Sequence, residues 1–331
     1  MKPNLTLLFV LAFGCANGQL DVQSRSDADD AATPPQVTLH DGGRARLPDA
    51  ARPAVDAGVI LPSDAGAPPA EFERDAGPDR SAPPAFGPVA DYGAPGPWAV
   101  TREIGGPGSA FTLYFPTDLG RGGVRHPVLT WGNGTGARVS VYDALLRHYA
   151  SHGFVVIASH STSTGTAREM LQGVDFMIEE ASRPGGRFEG HIDTEAIGAT
   201  GHSQGGGGSI NAGVDPRVHC IAPIQPAPGS IREVHGEMLL LAGSRDTIVS
   251  PRRLVRPYSY VPSPVPTVYG ILQGATHFTA IGAAGGYRSE TTAWFRYCLM
   301  GDTTAEERFF GECTLCSDPA WVVERKLLEL R

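Results

Sequence analysis

Between residues 111 and 274 the chain is punctuated by seven short apolar runs: FTLYFP (111–116), PVLTWG (127–132), FVVIAS (154–159), AIGATG (196–201), HCIAPI (219–224), MLLLAG (238–243) and TVYGILQG (267–274). The later runs are apolar almost throughout and do not alternate, as expected of strands covered on both faces. The stretches between them carry helical periods. Tyr142, Leu145, Leu146 and Tyr149 share one face, as do Met170, Val174, Met177 and Ile178, and a further helix runs from about Arg288 to Met300. Strand and helix alternating at this length predict a mainly parallel central sheet with helices on both faces. In such sheets ligands bind beyond the carboxyl ends of the strands, so functional residues should follow these runs directly.

At one of those ends the chain reads GATGHSQGGGGSI (198–210). Gly201-His202-Ser203-Gln204-Gly205 fits G-x-S-x-G, a weak signal in a chain with 42 glycines among 331 residues. Its setting strengthens it, because the motif ends one predicted strand and opens a helix, the context of a nucleophile elbow. A serine thrust out on a strained turn needs room at the flanking positions, which Gly201 and Gly205 provide. Gly206 to Gly208 let the helix approach the sheet, at a cost of about 1 kcal/mol per glycine in helix propensity.

A serine hydroxyl needs a base, and the base an orienting acid. In the α/β-hydrolase order the acid follows the serine and the histidine comes last. Of ten histidines only His277 lies beyond Asp246. Asp215, Glu233 and Glu237 precede strands and face the wrong edge, whereas Asp246 follows MLLLAGSR and His277 follows the last run, in GATHF. The expected triad is therefore Ser203, His277 and Asp246. The oxyanion requires two backbone N–H donors. Gln204 supplies one, and the loop GNGTGA (132–137) the other, with Asn133 and Gly134 as candidates. That loop could also suit a phosphate or dinucleotide, but such a reading wants an acidic residue at the end of the next strand. FVVIASHSTST ends instead in Ser, His and Thr.

The formal charge of −8 is not spread evenly: residues 16–92 hold 13 Asp/Glu against 6 Arg. Nothing basic is concentrated enough to recruit nucleic acid. Lys2 precedes an apolar run from Leu5 to Phe13, too short to span a bilayer and followed by small residues, which predicts a secretion signal over 1–18. LAFGC resembles a bacterial lipoprotein box, with Ala12 where Leu is usual. Its cleavage would leave a lipidated Cys15 as a membrane anchor; cleavage after ANG (16–18) is the alternative, and either exports the protein. Residues 19–92 are rich in Ala, Asp and Pro and poor in large apolar side chains, so they are expected to form a disordered linker. The catalytic domain is assigned to 93–331.

Together GNGTG, ASHGFVVIA, GHSQGGGG, AGSRDTIVSP, GATHF and AWFRYCLMGD resemble bacterial cutinases and polyester (PET) hydrolases of the polyesterase–lipase–cutinase family, over about residues 97–315. The resemblance implies an α/β-hydrolase fold and cleavage of carboxylic esters without a cofactor. Two positions depart from it. Gln204 replaces the usual Met after the nucleophile, and Ala227 stands where relatives carry an aromatic platform, often Trp, which implies weaker hold on aromatic polyesters. Only about ten residues separate IQPAP from the next strand, too few for a cap domain. An open cleft suited to bulky or polymeric esters follows, on a protein expected to be monomeric. The competing function is a surface-anchored binding protein on a hydrolase scaffold, which has no reason to keep three separated residues in register.

Beyond Cys15 there are four cysteines, Cys220, Cys298, Cys313 and Cys316, with three possible pairings. CTLC lacks the second pair or histidine cluster that zinc requires. Relatives often carry a C-terminal disulfide, and that resemblance implies Cys313–Cys316, with Cys220 a buried strand thiol.

Overall fold

A computed structural model describes residues 86–262 and 265–326. The predicted leader, Cys15 and most of the predicted linker lie outside these residues. A nine-stranded sheet runs in the order β1-β2-β4-β3-β5-β6-β7-β8-β9. Its strands are β1 (Val100–Gly105), β2 (Phe111–Pro116), β3 (His126–Gly132), β4 (Val155–Ser159), β5 (Ile192–His202), β6 (Val218–Ile224), β7 (Glu237–Gly243), β8 (Thr267–Leu272) and β9 (Trp321–Lys326). From β4 through β8 every neighbouring pair is parallel, and β1, β2 and β9 add antiparallel edges. The seven apolar runs are β2 to β8. This is an α/β-hydrolase architecture with no cap, because residues 225–236 pass from β6 to β7 without an inserted helix or strand.

The lack of alternation in the sequence has a direct structural cause. Along β7, Met238, Leu240 and Ala242 enter one apolar cluster, while Leu239 and Leu241 enter the other. Successive side chains point to opposite faces, and both faces are roofed. The roof on one side is α1 (Asp143–Ser151) and α5 (Tyr287–Met300); on the other it is α2 (Arg168–Ser182), α3 (Gln204–Ala212) and α4 (Pro251–Ser259).

Two expectations are corrected. The folded body starts earlier than residue 93. Tyr92 is buried, Phe86 packs against Trp98 and His126, and the fully buried Arg296 donates to the Gly87 carbonyl at 2.7 Å. Ordering this segment is offset by the contacts that a buried guanidinium needs. Cys220 is not a thiol but is bonded to Cys298, because α5 lies across β6 with Cys298 facing the strand and the two Cα atoms 6.6 Å apart. The Cys313–Cys316 disulfide is present as expected.

His148 and His152 of the α1 region donate from Nε2 to the carbonyls of Tyr92 and Ala94, each at 2.9 Å. Burial, chiefly, pushes both imidazoles down to about 4 from an ordinary 6.5. Their neutral forms suit the fold, so their contribution is fully present above about pH 6.5 and is lost as the pH falls toward about 4. Thermal unfolding midpoints should be flat at neutral pH and decline over that interval, with a shallower decline in His148→Gln/His152→Gln. The disulfides should differ in weight. Replacing Cys220 and Cys298 by Ala opens a separation of 78 residues and should cost about 2–4 kcal/mol in denaturant titrations, whereas replacing Cys313 and Cys316, only 3 apart, should cost less.

Candidate active site

The carboxyl ends of β5, β7 and β8 deliver three side chains to one rim. Ser203 stands between β5 and α3 at φ 55°, ψ −117°, a conformation that L residues avoid. It persists because its backbone is tied on every side. Ser203 N–H donates to Ile224 O at 3.0 Å, and its carbonyl accepts from Gly207 N–H at 3.0 Å and Ala227 N–H at 2.8 Å. The glycines behave as the sequence predicts. A Cβ at Gly205 would lie 2.1 Å from the Gly132 carbonyl, and one at Gly208 would lie 2.2 Å from Thr164 O. Only glycine lets α3 come this near β3.

His277 follows β8 in a short 3₁₀ turn, His277–Ala280, whose start is held by a capping box between Thr276 and Thr279. Its Nε2 is 2.9 Å from Ser203 Oγ and its Nδ1 is 2.7 Å from Asp246 Oδ2. Asp246 is 3% exposed and His277 6% exposed, so this line of hydrogen bonds is largely shielded from water. The other oxygen of the carboxylate, Oδ1, accepts from the amides of Ile248 and Val249, both at 2.8 Å. The three residues expected to act together are thus brought into contact.

Further residues hold them, and sequence reasoning missed their part. Gln225, fully buried just past β6 and at φ 47°, donates from Nε2 to Asp246 Oδ2 at 2.8 Å and to Thr276 O at 2.9 Å. One amide group therefore spans the acid and the residue preceding the histidine. The only signal in the sequence was a polar residue closing an apolar strand before proline. A second tie runs through Tyr142 and His202. The Gly134 amide donates to Tyr142 Oη at 3.2 Å, Tyr142 Oη lies 2.9 Å from His202 Nδ1, and His202 Nε2 lies 2.9 Å from His277 O. A carbonyl can only accept, so Nε2–H goes to His277 O; in the neutral ring Nδ1 is then the acceptor and takes the tyrosine proton, while the Gly134 amide donates to the same oxygen. Neutral His202 fits this, since burial first and the neighbouring His277 second push it down to about 4.

The loop GNGTGA departs from expectation at Gly134, whose amide is spent on Tyr142. Asn133 is fully buried as a staple: its amide donates to Ser159 O and Ser161 O, its Oδ1 accepts from Trp131, and its carbonyl accepts from Thr164 Oγ1. Thr135, the next residue along, is exposed and makes no hydrogen bond among the described residues. Gln204 Oε1 accepts from Thr164 N–H at 3.1 Å, so the polar replacement at this position fastens the 161–167 loop to the start of α3.

The sequence profile of the PET hydrolase-like family matches residues 84–323. Cutinase est2 of Thermobifida alba is 29% identical over 222 residues, covering 63% of this chain and 72% of the relative. Cutinase cut1 of Thermobifida fusca is also 29% identical, covering 63% of this chain and 67% of its own length. Bis(hydroxyethyl) terephthalate hydrolase of Streptomyces coelicolor is 30% identical over 218 residues, covering 63% and 66%. With a serine, a histidine and an aspartate hydrogen-bonded in series on the rim of an α/β-hydrolase sheet, and a family match across most of the chain, the protein belongs to the PET hydrolase-like family and is a carboxylic ester hydrolase of the cutinase type.

Proposed function

We propose that the protein cleaves esters through a covalent acyl-enzyme on Ser203, with His277 as base and then acid and Asp246 as the orienting carboxylate. The unbroken series Ser203 Oγ, His277 Nε2, His277 Nδ1 and Asp246 Oδ2, at 2.9 and 2.7 Å, carries this reading. Oγ attacks the ester carbonyl as its proton passes to Nε2. The C–O bond to the alcohol then breaks and the alcohol leaves with that proton. A water molecule, deprotonated by the same Nε2, attacks the acyl carbonyl, and Oγ departs reprotonated. The carboxylate keeps Nδ1–H in place and offsets the imidazolium charge, so every proton is handled by side chains. For the oxyanion, the amide of Gln204 at the start of α3 is one donor, favoured by the helix N-terminus. The amide of Thr135, an exposed residue with no hydrogen bond among the described residues, is the second, since Gly134 is engaged elsewhere and Asn133 is buried.

An uncapped rim and a half-exposed Ser203 suit bulky or polymeric esters. Export fits two disulfides in the catalytic domain, a pattern of oxidising compartments. Among the described residues no helix is long and apolar enough to cross a membrane; a membrane anchor, where there is one, is the lipidated Cys15 of the lipoprotein reading.

Ser203→Ala should reduce p-nitrophenyl ester turnover by roughly 10⁴-fold or more while leaving the thermal unfolding midpoint nearly unchanged; turnover at the parental rate would remove Ser203 from the mechanism. Gln225→Met should lower kcat about tenfold, within the roughly 1–3 kcal/mol expected for a lost buried hydrogen bond. It should also move the acid limb of the kcat/KM profile to higher pH, because a carboxylate relieved of one donor holds the imidazolium more tightly. A role confined to packing would lower stability and leave that limb in place.

A further inference from the structure

The hydroxyl of Tyr142 stands where three parts of the site meet. Its ring is buried against Trp131, with centroids 4.8 Å apart. Its Oη accepts the Gly134 amide at 3.2 Å and lies 2.9 Å from His202 Nδ1. Burial, chiefly, pushes this phenol up to about 12, so it keeps the proton that it shares with Nδ1. Gly134 opens a turn that Ala137 N–H closes on its carbonyl at 2.9 Å. Thr135, whose amide is the proposed second oxyanion donor, is the next residue in that turn. The same segment is also tied to the chain beyond His277: Gly282 N–H donates to Val141 O at 2.9 Å, and Leu145 N–H donates to Gly282 O at 3.1 Å. Residues 141–145 thus reach the loop after β3 through a side chain and the loop after β8 through backbone. His202 adds its own bond to His277 O.

Residues 134 and 142 are a matched pair. A Cβ on residue 134 would lie 2.9 Å from Tyr142 Oη and 3.2 Å from His202 Nδ1, so glycine is the residue that leaves room for this hydroxyl. Gly134 is buried, and without Oη its N–H would lose its partner in a place shielded from water.

We infer that Tyr142 is a positioning residue for the hydrolysis: its hydroxyl fixes the turn 134–137, and with it the Thr135 amide, relative to His277. The inference rests on the reading of Ser203 as nucleophile and Thr135 as oxyanion donor. Tyr142 acts through Gly134 on one side and His202 on the other. Such a tie counts most as charge develops on the oxyanion, and a neutral ester in its ground state draws little on it. Phenylalanine at this position keeps the ring against Trp131 and removes only the oxygen at which the loops join.

The experiment measures kcat and KM for p-nitrophenyl butanoate, well below the unfolding midpoint, in the parental protein, Tyr142→Phe, Gly134→Ala and the double variant. Inhibition by n-butylboronic acid is measured beside them; its boron takes up Ser203 Oγ to form a tetrahedral anion while the hydroxyl proton goes to His277. Tyr142→Phe should lower kcat about tenfold and leave KM within about twofold. The boronic acid should lose affinity by about the same factor as kcat. Gly134→Ala should be similarly damaging alone but add less than about twofold to Tyr142→Phe, because its methyl enters the space that the oxygen leaves. A role in packing alone would lower the unfolding midpoint and leave kcat and boronic-acid affinity at their parental values, which overturns the inference. A loss confined to KM, or single-variant losses that multiply in the double variant, overturns it too. If Tyr142→Phe fails to fold, Gly134→Ala decides on the same terms. Two controls tell apart a failure of the underlying reading: turnover that survives Ser203→Ala removes the nucleophile, and parental kcat in Thr135→Pro, which lacks the amide, removes the donor.

Discussion

The site depends on how closely α3 approaches β3. The helix begins at Gln204, and within its first turn the Gly205 backbone meets the Gly132 carbonyl at a distance that admits no side chain. That approach forces the chain to turn sharply at Ser203, and the turn presents Oγ above the sheet. Four consecutive glycines weaken a helix that must nevertheless form. The sheet compensates: Gly205 through Ile210 are all buried, and Ser209 closes its hydroxyl onto Gly206 O. Poor local propensity is accepted because tertiary packing selects the conformation.

Strain appears at two places on this rim, and the two are coupled. Ser203 and Gln225 both have positive φ, and both end strands that lie side by side, β5 and β6. Their backbones are stitched together: Ser203 N–H reaches Ile224 O, and Gln225 N–H reaches Leu241 O on β7. Strained residues persist where surrounding bonds over-determine them. Here the bonds run across three adjacent strands, so displacing Ser203 requires displacing Gln225, which holds Asp246. The resulting rigidity holds Ser203 Oγ, His277 Nε2 and the Asp246 carboxylate at fixed spacing, which the proposed reaction requires.

Much of this was legible in the chain. The strands covered on both faces, β3 to β8, stand out as uninterrupted apolar runs because nothing polar can face outward there. The meeting of Asp246 and His277 on one rim was legible for the related reason that both follow the carboxyl ends of such runs. The edge strands β1 and β9 were not. Val100–Gly105 and Trp321–Lys326 carry Arg102, Glu103, Glu324 and Arg325 on half-exposed faces, and their pairing is set by neighbours distant in sequence. The same limit hid the Cys220–Cys298 bond, which depends on how α5 crosses β6. It also hid Gln225 and Tyr142, polar groups whose importance lies wholly in what they reach.

Tyr142 and His202 illustrate what a buried polar network adds beyond contact. Three hydrogen bonds link the Gly134 amide, in the loop after β3, to the carbonyl of His277, in the loop after β8. The His277 carbonyl fixes a proton on Nε2, and in the neutral ring this leaves Nδ1 to accept the tyrosine proton. A charged His202 would present a proton where it must accept the tyrosine hydroxyl, and would place a cation against the His277 ring 4.7 Å away. Burial pushing His202 down to about 4 therefore keeps the ring neutral and preserves the network.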